Sequence, residues 1–131
     1  MANPSIYSEP LHLGLGATAR VQPTFNGMGW YGDYIERTAA DGIEGRLVSH
    51  FQFTESWDSW EMHPSGDEVV ICLTGSMTLH QEHAGGAKAT VTLGAGDYVI
   101  NPPGCWHTAD IEGEASALFI TAGFGTEHRP R

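Results

Sequence analysis

WEMHPSGDEVVICLTG, residues 60–75, reads as two strands joined by a turn. Pro64-Ser65-Gly66-Asp67 supplies the turn, because proline fixes φ and glycine accepts conformations that other residues resist. Short runs rich in aromatic and β-branched residues stand on either side. With a period of two, Glu61 and His63 project from the same face of the first run. Glu68 then heads an inward row on the second, followed by Val70 and Cys72.

The same rhythm continues outward. Runs of Val, Ile, Thr and aromatic residues are broken by glycine or proline about every 8–12 residues, the spacing of a β-sandwich or barrel. It predicts strands over 46–54, 57–62, 68–74, 76–82, 87–93, 97–101, 105–111 and 115–122. Thr74-Gly75-Ser76, Ala84-Gly85-Gly86 and Gly94-Ala95-Gly96-Asp97 carry turn chemistry. Asn101-Pro102-Pro103-Gly104 is no central strand, since consecutive prolines remove two backbone donors. Helical periodicity occurs in one stretch, Trp30–Ala40, which reads equally as a strand and turn. The expectation is one all-β domain, with an N-terminal arm over 1–44, a barrel over 45–123 and a tail over 124–131.

The 131 residues hold 16 Asp and Glu against 6 Lys and Arg, a net charge of −10. Between Leu47 and His128 eleven residues are acidic and one, Lys88, is basic. Such a chain is poorly suited to neutralise phosphates, so no nucleic-acid partner is expected. An anionic substrate could meet only Arg20, Arg37, Arg46, Lys88, Arg129 or Arg131. The apolar runs at 69–73 and 117–122 fall far short of the ~18 residues that span a bilayer, so no membrane partner is expected either. The N-terminus has no basic region followed by an apolar one, and the expected location is cytoplasmic. Cys72 and Cys105 form no CxxC pair, which excludes a zinc ribbon and argues against a disulfide framework.

The chemistry gathers around two histidines. His63 follows one strand beside the PSGD turn, and His107 stands beside the proline–glycine turn of GDYVINPPGCWHT, residues 96–108. With Glu68 they offer two neutral imidazoles and a carboxylate from three strands, a set that can hold a divalent first-row metal and leave positions open for substrate. Glu61 is either a fourth ligand, a general acid or base beside the metal, or a bystander hydrogen-bonded elsewhere. His50 reads as part of a polar barrel wall or of a surface strand. His80 and His83, with Glu82, read as a second metal site or as solvated histidines. Cys105, two residues before His107, reads as a thiol near the metal or as a small buried apolar residue. Phe51, Phe53, Trp57, Trp60 and Trp106 wall a pocket or fill the core. Tyr31 and Tyr34 form a lid or a dimer contact, and the tail with His128, Arg129 and Arg131 is solvated or folds back onto acidic residues or a substrate carboxylate.

These motifs resemble those of the cupins, a superfamily of small β-barrels. The second half of the family's first motif is matched by His63, four residues, Glu68, six residues and Gly75; its second motif is matched by Gly96, Pro102, Gly104 and His107. Three positions depart. Glu61 stands where the family has its leading histidine, Ile111 replaces a terminal asparagine, and no glycine opens the first motif. The resemblance implies an antiparallel jelly-roll barrel and a metal held by His63, Glu68 and His107, with Glu61 making the set two imidazoles and two carboxylates. So hard a set disfavours copper and leaves Fe, Mn, Ni or Zn. It further implies a homodimer through the N-terminal arm. The expected function is a metal-dependent enzyme of dioxygenase, isomerase or lyase type, acting on a small neutral or weakly anionic oxygenated molecule in the barrel. The alternative is a non-catalytic module that binds a small ligand or a metal.

Overall fold

The computed structural model describes residues 2–131. Two long strands dominate it, β5 (Glu68–Glu82) and β8 (Trp106–Thr121), which pair antiparallel over almost their whole length. Sequence spacing predicts each as two strands separated by a turn. Instead β5 continues through Gly75 and β8 through Gly113, both at positive φ. In β5 the register shifts around Gly75, which makes the glycine a bulge within the strand instead of a turn between two. A side chain at Gly75 would collide with the carbonyl oxygen of Glu114, so the crossing of the two strands requires glycine.

Different strands flank each half of this pair. Beside the first half of β5 lies β7 (Tyr98–Asn101), and beside the second half of β8 lie in turn β3 (Arg46–Phe53), β1 (Leu11–Gly14) and β2 (Thr18–Val21). Beside the second half of β5 lies β6 (Lys88–Gly94), and beside the first half of β8 lie β4 (Ser59–Met62) and β9 (Glu127–Pro130). The result is two half-sheets sharing two bent strands, with every pairing antiparallel. Their inner faces meet in one core. Val70, Cys72, Ala117 and Phe119 come from the first half, and Met77, Leu79, Leu93 and Ala109 from the second. The all-β jelly-roll expectation stands on this arrangement.

The arm and the tail are more ordered than their sequence suggests. Trp30–Ala40 resolves as helix α1 (Gly29–Arg37), which packs Trp30 and Tyr34 against Leu47 of β3. The tail is no solvated end. Its β9 pairs with β4, and the Arg129 guanidinium lies between the Trp60 and Trp106 rings, 5.1 and 4.5 Å from their centroids, while pairing with Glu82. Arg131 holds Asp110 at 2.6 Å. Among the described residues no helix is long and apolar enough to cross a membrane.

Candidate metal centre

Glu68 opens β5 with its side chain turned inward, as alternation requires, and is 2% exposed. A carboxylate so buried needs partners. Its register neighbours supply them: Asn101 on β7 donates to Oε1 at 3.1 Å, and Thr121 on β8 donates to Oε2 at 2.7 Å. Gln81 donates in turn to Asn101 at 2.7 Å, which fixes the amide orientation. The carboxylate is thus aimed before anything else touches it.

His63 and His107 reach the same point from the other half-sheet, at 5% and 0% exposure. Their tautomers follow from their outer nitrogens. The Thr126 hydroxyl donates to the Gly123 carbonyl, so it accepts from His63 Nδ1 at 2.7 Å. The Cys105 carbonyl can only accept, so His107 Nδ1 donates to it at 3.2 Å. When neutral, both imidazoles therefore present a lone pair at Nε2. These lone pairs face Glu68 at 3.1 and 3.0 Å, yet neither Nε2 is aligned for a hydrogen bond. Among the described residues, the buried side-chain nitrogens and oxygens without a partner are those two atoms and Trp57 Nε1, and Trp57 packs 6.1 Å from the His107 ring.

Two lone pairs converging on a buried carboxylate are unfavourable unless a cation lies between them. The ligand atoms of His63, His107 and Glu61 lie within 4.8 Å of one another, close enough to share an ion, and Glu68 stands 3.1 and 3.0 Å behind the two imidazole nitrogens. Adjacent ligands of an octahedral ion with bonds of about 2.1 Å stand about 3.0 Å apart; each imidazole nitrogen stands that far from one of the two Glu68 oxygens, at 3.1 and 3.0 Å, and Glu61 stands farther off, at 3.9 and 3.8 Å. Burial alone would push the Glu68 carboxyl up, but the neighbouring imidazoles hold it well below the usual carboxylate range. Burial disfavours the charged form of His107 while the Glu68 carboxylate favours it, and the second effect prevails, leaving its pKa raised. The residues fit a metal.

Glu61, on β4, lies opposite His107 on one side and His128 on the other. Its Oε2 is 3.9 Å from His63 Nε2 and 3.8 Å from His107 Nε2, and the ligand atoms of these three residues all lie within 4.8 Å of one another. Its Oε1 takes a hydrogen bond from His128 Nε2 at 3.1 Å. Of the two readings of the tail, the fold-back onto acidic residues holds for His128, although the sequence does not name Glu61 as its partner, and it does not mark Thr126 at all. Both arrive on the C-terminal segment through the β4–β9 pairing, for which no local motif exists.

A cavity of about 760 Å³ opens above these groups. Glu61, His63, Glu68 and His128 line its polar side; Phe51, Phe53, Trp57 and Phe119 line its apolar side; Met28, just before α1, and Tyr31, Tyr34 and Ile35 of α1 overhang it. No Lys or Arg lines it. Burial first, then the charges of Glu61 and Glu68, push the Tyr31 hydroxyl up to about 12, which keeps it a proton donor.

Other candidates fall elsewhere. Trp60 and Trp106 sandwich Arg129 and do not wall the cavity. His50 stands in the opposite row of β3 from Phe51 and lines a separate cleft with Tyr7. His80 lies on β5, bonded to Asp110 at 2.7 Å and Thr90 at 3.2 Å, so no second metal site forms from His80, Glu82 and His83 among the described residues. Cys105 is fully buried and outside the ligand group, because it precedes β8 and the alternation argument does not reach it. Both cysteines are free.

The architecture recurs in solved structures. An oxalate oxidase in complex with the substrate analogue glycolate is 16% identical, the match covering 63% of this chain and 45% of that one at a TM-score of 0.55. Hydroquinone 1,2-dioxygenase from Sphingomonas sp. TTNP3, with 4-hydroxybenzoate bound, is 17% identical over 58% of this chain and 59% of the other, at 0.50. A cupin-2 domain protein from Shewanella frigidimarina is 21% identical over 66% and 71%, at 0.49. At these identities the likeness is one of fold. No curated protein matches the sequence significantly. Residues 48–123, more than half of the chain, match the family model described as Cupin domain, and the chain belongs to that family.

Proposed function

We propose that this protein is a metal-dependent enzyme acting on a small, uncharged oxygenated molecule carrying an aromatic or similarly flat apolar body. One observation carries the reading: His63, whose Nε2 is unpartnered, and the buried Glu68 line one side of a cavity whose other side is aromatic and which is free of Lys and Arg, with the unpartnered Nε2 of His107 buried behind them 3.0 Å from Glu68. His63, Glu68 and His107 would hold the ion. When bound, a divalent metal supplies a Lewis acid for a substrate oxygen.

The chain's own groups divide the remaining work. Phe51, Phe53 and Trp57 would take the ring by offset or edge-on contact and exclude water around it. Tyr31 would donate a hydrogen bond to a substrate oxygen. Glu61, part-exposed and aimed into the cavity, would accept or return the substrate proton, with His128 keeping its carboxylate turned toward the centre. The absence of a cationic lining disfavours dianions, whose recognition normally recruits Arg or Lys. The aromatic ligand of the hydroquinone dioxygenase is consistent with this substrate class, while the dioxygenase, isomerase and lyase options are separated only by the metal and the product.

The test has two arms. Metal-free protein is titrated with Mn²⁺, Fe²⁺, Ni²⁺ and Zn²⁺, with one ion per chain expected for at least one of them. Quenching of Trp fluorescence then compares simple phenols with their dicarboxylate analogues, and phenols should bind more tightly by at least ~10-fold. A chain that takes up none of the four metals, and whose stability is indifferent to His63→Ala, overturns the proposal.

A further inference from the structure

Trp57 carries a buried group that nothing in the chain uses. Its indole Nε1 has no partner, although buried donors are nearly always paired. The residue is not placed to turn and find one. Its backbone is held from both sides, the N–H donating to the Ala109 carbonyl at 2.9 Å and the carbonyl accepting from Arg131 at 2.9 Å. Its ring is packed among Phe53, His107 and Phe119, with centroids 5.7, 6.1 and 6.1 Å away. A phenylalanine would make such apolar contacts without burying a donor. The other three tryptophans are settled differently: Trp30 Nε1 donates to the Pro23 carbonyl at 3.0 Å, and Trp60 and Trp106 sandwich Arg129 away from the cavity.

Trp57 lines the same cavity as Glu61, His63 and Glu68 and packs against the His107 ring. Among the described residues, the other buried side-chain atoms without a partner are Nε2 of His63 and of His107, so all three unmet groups gather at one site. Their needs are complementary. The imidazole lone pairs call for a cation, and the indole N–H, which can only donate, calls for an acceptor. The acceptors nearby are already engaged: Ser56 Oγ takes the Ile111 N–H at 2.9 Å, and Glu61 Oε1 takes His128 Nε2 at 3.1 Å. We propose, resting on the reading of this cavity as the substrate site, that Trp57 determines specificity there: its indole N–H donates to a neutral carbonyl, ether or phenolic oxygen of the ligand and so selects it over a hydrocarbon of the same shape. A carboxylate could accept the same bond, but it would enter beside Glu61 and Glu68 with no Lys or Arg in the lining to offset its charge. A neutral oxygen carries no such penalty. An analogue without the oxygen leaves the buried donor unpaired, which is the kind of contact that discriminates most strongly.

Acetophenone and α-methylstyrene are the probes, because they share one shape and differ in a carbonyl against a vinylidene group. Binding is measured on the full chain as purified, for the wild type and for Trp57→Phe, which keeps an aromatic ring and removes the N–H. The variant should bind acetophenone about 10-fold more weakly and α-methylstyrene to within about 2-fold of the wild type. A second measurement needs no variant. In wild-type protein with isotopically labelled tryptophan, one of the four indole N–H resonances should move downfield with acetophenone and not with α-methylstyrene. Acetophenone binding that Trp57→Phe leaves unchanged overturns this proposal and spares the reading of the cavity. If the variant does not fold, acetophenone binding with no downfield indole shift overturns it in the same way. A wild type that binds neither probe overturns both, and the metal content of the same samples tests the metal centre separately.

Discussion

Two clusters in this molecule bury histidine against carboxylate, and they have opposite needs. In the arm, His12 is 1% exposed, donates from Nε2 to Asp41 at 2.6 Å and accepts at Nδ1 from the Tyr34 hydroxyl at 2.6 Å. Arg20 reaches the same Asp41 oxygen at 3.0 Å. Every polar atom of that imidazole is used, and the cluster is complete as it stands. In the barrel, His63 and His107 are just as buried, but each spends its outer nitrogen on Thr126 or Cys105 and leaves Nε2 facing Glu68 without a hydrogen bond. A buried histidine marks a ligand site only when its second nitrogen is left over. The first cluster ties β1, α1 and Asp41 together; the second asks for a cation.

The sharpest way to break this contrast is His107→Ala. It should reduce metal affinity at least ~100-fold, and added metal should no longer raise the melting temperature. In the wild type, metal at 1,000 times its dissociation constant adds about 4 kcal/mol of stability. His12→Ala should do the reverse. It strands the Tyr34 hydroxyl, leaves Asp41 to Arg20 alone and empties a buried site, and should cost about 1–3 kcal/mol in denaturant unfolding while leaving metal stoichiometry unchanged. Loss of metal from His12→Ala, or indifference of His107→Ala, would erase the distinction.

Smaller changes sharpen it. Thr126→Val removes the acceptor that fixes the His63 tautomer, and metal affinity should fall about 10–100-fold and recover in Thr126→Ser. Acid should act on the arm cluster in metal-free protein. The hydrogen bond from His12, joined by Arg20, holds the Asp41 carboxyl below its usual value. The folded chain therefore keeps this carboxylate charged at pH values where the unfolded chain has taken up a proton. Its stabilisation is present above the ordinary carboxylate pKa, about 3.9, and is lost as pH falls through the depressed one. The melting temperature of Asp41→Asn should accordingly fall less steeply than that of the wild type below about pH 4.

Much of the barrel site was legible because its spacing is local. Four residues from His63 to Glu68 span one turn, and the run from Gly96 to His107 spans another, so the candidate ligands are named by short motifs. Alternation correctly turned Glu68, Val70 and Cys72 inward. At Cys105 the reading as a small buried apolar residue holds; the pattern failed at the boundaries near Gly75 and Gly113, where a glycine at positive φ serves as a bulge or bend within a strand as readily as a turn. The arm cluster left no sequence signal: His12, Tyr34 and Asp41 are 22 and 29 residues apart and meet only because α1 folds back over β3. Thr126 left none either, and for His128 the fold-back onto acidic residues was readable but not its partner; they reach His63 and Glu61 across separations of 63 and 67 residues.

The C-terminal strand ties two distant parts of the chain to one pair of side chains. Thr126 orients His63 and His128 orients Glu61, so the geometry of both depends on the β4–β9 pairing. A change that loosens β9, such as loss of the Arg129–Glu82 pair, should therefore disturb both side chains at once without touching either of them.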